Sequence, residues 1–158
     1  MKLYFPCLLF LENKGKDYKG RTLEDIWSFS DKEIERIHDF IQVIFPLDEP
    51  SRYNANRYYI KDIDLIEAIK LSDLAQKNLQ KSSQWFLGFL ERNKQWQKRY
   101  DHNQLRITRV IKSLHLLCSQ KIAMNFYQKM VTLIKDDHCI PVSTYEYWVE
   151  ALKKQSKN

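Results

Sequence analysis

Apolar positions recur along most of this chain at the period of an α-helix, and the interruptions are few. The clearest run is SDKEIERIHDFIQVIF, residues 30–45, where Ile34, Ile37, Ile41 and Ile44 stand three and four apart. Ser30, with Glu33 three residues on, carries a capping-box signature, so the pattern predicts a helix over 30–45. Upstream, KGKDYKG at 14–20 holds two of the three glycines and reads as a loop, with a short helix after it from Thr22 to about Phe29. Pro46 and Pro50 forbid a continuing helix and SRYNANRYY has no helical period, so residues 46–60 are expected to form an ordered loop.

Helical patterns resume at about 61–70, and again from Ser72 through Trp85, Phe86 and Phe89 to a point before Tyr100. Asp101 is placed to cap a helix reaching about Ser119, and another covers about 121–134. After Pro141, Ser143 and Glu146 offer a second capping box. The expectation is all-α: six or seven helices without a sheet, in a single compact domain over 1–158 with residues 1–7 and 153–158 at its periphery. Scarce Gly (3) and Pro (4) fit that class better than a turn-rich sandwich or barrel.

Charge adds a polarity. The net value is +6, yet residues 1–80 hold 12 Lys/Arg against 14 Asp/Glu, while 81–158 hold 14 against 6. The halves are therefore −2 and +8, a distribution that suits an anionic partner or mutual attraction of the halves. Cys7, Cys118 and Cys139 are widely spaced, two of them in apolar surroundings, which points to a reducing, cytoplasmic setting. LYFPCLLFL is apolar for only nine residues and contains a proline, so it reads as a core-packing first segment and not as a membrane span or signal peptide.

The candidate chemistry centres on YDHNQLRITRVIKSLHLL, residues 100–117. On a wheel of about 100° per residue, Ile107, Val110, Ile111, Leu114, Leu117 and Cys118 form a broad apolar arc, with Leu105 and Leu116 nearly opposite. Between them runs a polar stripe of His102, Arg106, Arg109 and Ser113, with Asn103 beside it. Apolar residues on both sides of the stripe predict that both sides are covered, and a buried guanidinium demands acceptors. Asp48 and Glu49, in the rigid PLDEP loop, are the acceptors best placed for bidentate pairing with Arg106 or Arg109 as a structural clasp. Alternatively the stripe receives an anionic or carboxylate-bearing ligand.

Other constellations carry less. ERNKQWQKRYDHNQLRITR interleaves basic residues with aromatics, so Lys94, Trp96, Lys98, Arg99 and Tyr100 form the candidate surface for single-stranded nucleic acid. Glu35 and His38 would share a helix face, and Asp136, Asp137, His138 and Cys139 stand together. Neither group has a second ligand set at defined spacing, so no metal or cofactor is expected. Gly-rich phosphate loops, Gly-x-Ser-x-Gly, His-Glu-x-x-His and Cys-x-x-Cys are all missing from the sequence.

SDKEIERIHDFIQVIFPLDEPS and HNQLRITRVIKSL together closely resemble the conserved region of the opioid growth factor receptor family, and GRTLEDIW upstream fits the same pattern. The matching positions are His38, Ile41, Gln42, Phe45, Pro46, Leu47, Glu49 and Pro50, then His102, Asn103, Leu105, Arg106, Ile107, Thr108, Arg109 and Ser113. The resemblance covers roughly residues 8–150 and implies a helical domain. In the vertebrate receptors that domain precedes a long repeat-bearing tail and is linked to the nucleus, to an enkephalin-type peptide and to restraint of growth. This sequence shows neither the repeats nor a bipartite nuclear signal and looks like the stand-alone bacterial forms, so opioid binding is not carried over. The expected function is a non-enzymatic interaction module taking a peptide, a protein or a small anion near the stripe. An enzyme using the same stripe with Asp48 or Glu49, and a nucleic-acid-binding protein, are the alternatives.

Overall fold

A computed structural model of the chain describes residues 5–51 and 58–153. Among these are nine α-helices, one 3-10 turn and no strand, so the all-α expectation holds. The count exceeds six or seven because α1 (Cys7–Leu11) joins the expected set and the run over 30–45 is two helices. No described helix is long and apolar enough to cross a membrane. The chain divides into two compact units, residues 1–82 and 83–158, of which the described parts are taken in turn.

In the first unit, α2 (Leu23–Trp27) begins at a capping box made by Thr22 and Asp25. The predicted box of Ser30 and Glu33 likewise starts α3 (Asp31–Arg36). The helix then stops, against expectation: Ile37 is extended (ψ 130°), and α4 resumes only at Ile41–Ile44. An ion-pair network explains the break. Asp17 accepts hydrogen bonds from the backbone N–H groups of Lys19 and Arg21 and from Arg21 Nε (2.8 Å), closing the 17–21 turn in which Gly20 adopts φ +77°. Arg21 Nη1 and Lys19 Nζ both pair with Asp39, which lies in the break. The interruption also places Phe40 wholly in the core, edge-on to Phe29 at 5.6 Å, while Ile37 is only half-buried.

Beyond Pro46 the chain leaves helix as expected, and Ile60 N–H returns to the Leu47 carbonyl at 2.8 Å. Residues 52–57 of the expected ordered loop lie outside the described residues. Next come α5 (Ile63–Leu71), capped by Asp62, and α6 (Asp73–Arg92), whose first ten residues belong to this unit. Glu12 accepts from Ser72 Oγ (2.6 Å), Asn78 Nδ2 donates to the Leu11 carbonyl (2.9 Å), and Trp27 Nε1 donates to Ser82 Oγ (3.0 Å). Phe5 and Cys7 are buried, so the core begins closer to the start of the chain than the expected periphery.

Burial pushes the Cys7 thiol up to about 11, with a hydrogen bond to Tyr58 acting against the shift, and it pushes Cys118 up to about 12. Both thiols therefore stay protonated at neutral pH and pack as small apolar groups, whereas Cys139 is exposed.

The network also sets an acid limit. Burial alone would raise the Asp39 pKa, but the hydrogen bonds and charges of Lys19 and Arg21 outweigh it and hold the carboxyl below its ordinary value. A depressed folded-state pKa contributes stability that is fully present above the unfolded value of about 3.9 and is lost as pH falls through the folded value. Asp39→Asn is therefore expected to flatten the stability–pH curve below about pH 4, measured by urea unfolding at stepped pH. An unchanged slope would show that the carboxylate contributes nothing.

In the second unit, the rest of α6 leads through a 3-10 turn (Lys94–Gln97) to α7 (His102–Leu117), capped by Asp101 as expected. Ser119 caps α8 (Gln120–Thr132), and α9 spans Val142–Ala151. The second capping box does not form. Extended Pro141 (ψ 150°) is itself the N-cap, which draws Ser143 into the helix, and no side chain caps this end.

Candidate functional site

Helix α7 carries the stripe, and its burial follows the wheel on one side only. Asn103, Arg106, Arg109 and Ser113 are 2%, 5%, 9% and 0% exposed, as are the neighbouring apolar-arc residues Ile107, Val110 and Ile111 at 0%. Leu105, expected to be covered, is 49% exposed. The stripe is thus the margin of a buried face and not a polar seam between two buried ones. His102, at the helix start, is half-buried.

Arg106 Nη1 donates to Asn103 Oδ1 at 3.2 Å, one helical turn away, so two stripe residues are joined directly. In the first unit, Asp48 is half-buried, and Glu49 and His38 are exposed. Glu35 lies on α3, but His38 falls beyond its end, so the helix face they were expected to share does not exist.

The second unit also contains a polar hub that the charge-led reading passed over. Gln104 Nε2 donates to the carbonyls of Trp96 (2.9 Å) and Lys98 (2.7 Å), and Gln104 Oε1 accepts from Thr144 Oγ1 (3.3 Å). Its backbone carbonyl accepts from Trp148 Nε1 at 3.1 Å and from Thr108 Oγ1 at 3.2 Å. This single residue ties α7 to the 3-10 turn and to α9. A second amide repeats the device: Gln97 Nε2 donates to the Leu133 carbonyl and Gln97 Oε1 accepts from Lys135 N–H, both at 2.8 Å. The available signal was position, since Gln104 stands seven residues before Ile111 at the edge of the apolar arc.

The nucleic-acid surface loses its principal stacking group. Trp96 is 0% exposed and donates from Nε1 to the Leu90 carbonyl at 2.9 Å, so its ring is core. Tyr100 is exposed, with Arg99 over its ring at 5.6 Å, and Lys98 and Arg99 are exposed while Lys94 is half-buried. In the DDHC run, Asp136, Asp137 and Cys139 are exposed. His138 Nδ1 accepts from Ile140 N–H at 3.1 Å, and Nε2 faces Tyr145 Oη at 3.4 Å. Those ring nitrogens fasten a turn to α9.

Residues 10–158 match the model of the opioid growth factor receptor (OGFr) conserved region. The chain is 32% identical to the opioid growth factor receptor of Homo sapiens over 69% of this chain and 19% of that protein. It is 33% identical to the receptor of Rattus norvegicus over 60% of the chain and 20% of that protein, and 32% identical to that of Mus musculus over 60% and 18%. The chain thus spans about a fifth of the length of these relatives. No solved structure matches it.

Proposed function

Because this chain belongs to the opioid growth factor receptor conserved-region family, we propose that it is a non-enzymatic interaction module for a peptide or protein partner, held in shape by the α7 stripe. The burial of Asn103, Arg106, Arg109 and Ser113 carries this reading. Guanidiniums at 5% and 9% exposure act from within the fold, so the partner meets exposed residues and not the guanidiniums themselves. Support for a peptide comes from the relatives' name, that of a growth factor receptor. The interior place of Trp96 weighs against single-stranded nucleic acid, which needs rings presented for stacking. The free thiols of Cys7, Cys118 and Cys139 suit a reducing, cytoplasmic setting.

The test is to titrate the full chain with a displayed random peptide library and with a labelled single-stranded oligonucleotide, each at low and at physiological salt. Peptide binding that weakens far less with salt than oligonucleotide binding is expected. Tight oligonucleotide binding that weakens steeply with salt, and that falls when Lys98 and Arg99 are neutralised, would replace this reading with the nucleic-acid one.

A further inference from the structure

Helix α9 has two unlike faces. Its inner face is fastened: Trp148 is 0% exposed and bonded to the Gln104 carbonyl, Thr144 is bonded to the Gln104 side chain, and Ala151 and Leu152 are buried. Its outer face leaves apolar groups in water. Val142 is 73% exposed and Val149 42%, and their separation of seven residues places them two turns apart on one line. With Tyr145, Glu146, Glu150 and Lys153 they line a shallow groove of about 420 Å³.

The charge along this groove runs against its surroundings. Glu146 and Glu150 are two of only six acids among residues 81–158, a stretch with net charge +8. Lys153 pairs with Glu150 at 3.2 Å, whereas Glu146 has no cationic partner among the described residues. A carboxylate with no cationic partner among the described residues, beside exposed valines and on a helix locked from behind, is complementary to one chemistry: an apolar stripe edged by lysine or arginine.

We infer that the outer face of α9 docks a basic amphipathic helix, with apolar side chains over Val142, Tyr145 and Val149 and cations at four-residue spacing over Glu146 and Glu150. A second copy of this chain fits poorly. A two-fold antiparallel pairing of α9 centred on this face sets Glu146 against the other copy's Glu150 and gathers four carboxylates, and a parallel pairing also opposes like charges. The inference rests on the interaction-module reading and names both the surface and the class of partner.

The full chain is titrated by fluorescence anisotropy with two labelled helical peptides, one built of leucine and lysine with leucines along one stripe, the other with glutamate in place of lysine. The Leu/Lys peptide is expected to bind at least about tenfold more tightly than the Leu/Glu peptide. The double change Glu146→Lys/Glu150→Lys is expected to invert that preference, and Val149→Asp to weaken binding by about tenfold or more with circular dichroism and melting temperature unchanged. These positions are exposed, so the fold tolerates the changes. Equal affinity for both peptides, no binding of either, or indifference to Val149→Asp would overturn the inference. So would a concentration-dependent dimer in sedimentation that Val149→Asp abolishes, since the occupant is then a second copy. If these peptides fail while library peptides still bind, the α9 surface is wrong and the module reading stands; if nothing binds, both fall.

Discussion

Arg106→Ala is expected to lower the unfolding free energy by about 3–5 kcal/mol, because it deletes a large buried side chain and leaves a buried hydrogen-bond acceptor without its charged donor. The guanidinium is 5% exposed and donates to Asn103 Oδ1, and an arginine side chain stays charged at any pH at which the protein is folded. Its removal strands the acceptors that keep it there and opens the space filled by its three methylenes. Glu49→Ala, at an exposed position, should cost about 1 kcal/mol or less. Arg106→Met separates the two contributions. It restores the stem but no donor, so it should recover the packing share and leave about 1–3 kcal/mol for the stranded acceptors. Urea unfolding with unchanged slope measures each value. Near-neutral Arg106→Ala would show that the fold does not depend on this group, and a ligand-binding role for the stripe would gain ground.

That the stripe could be found in the sequence, while the break at Ile37 could not, reflects the range over which each is determined. Spacing alone reports that Arg106, Arg109 and Ser113 share a helix edge, since helical geometry fixes that relation whatever the rest of the chain does. The break depends on Asp39 meeting Lys19 and Arg21, some twenty residues earlier in the chain, and no local period encodes that meeting. The isoleucine ladder 34–37–41–44 therefore predicted one helix, although Ile37 stands at the discontinuity and Phe40 fills the core. At α9 two local signals competed. Ser143 and Glu146 have the spacing of a capping box, but Pro141 fixes its own φ and occupies the cap first.

Gln104 shows a different blindness, because an uncharged amide at a core position gives the sequence no charge to explain, and its removal provides the sharpest test of the second unit. Gln104→Leu keeps the volume but leaves the Trp96 and Lys98 carbonyls without their donor and Thr144 Oγ1 without its acceptor. At about 1–3 kcal/mol for each stranded buried group, and less where water reaches, a loss of about 2–5 kcal/mol is expected. Gln104→Glu should be worse at neutral pH. Its carboxylate would face two carbonyl oxygens at a site 6% exposed, so the charged form is disfavoured and the folded-state pKa lies above the ordinary glutamate value of about 4.3. A raised folded pKa makes the penalty complete above that value and lets it fade as pH falls toward the unfolded one. Stability measured relative to the unsubstituted chain should therefore recover for Gln104→Glu between neutral pH and about pH 4, while the deficit of Gln104→Leu stays constant. Parallel pH dependence of the two variants would mean that the amide does not bridge those carbonyls, and that α9 is held to α7 by the Trp148 bond and apolar packing alone.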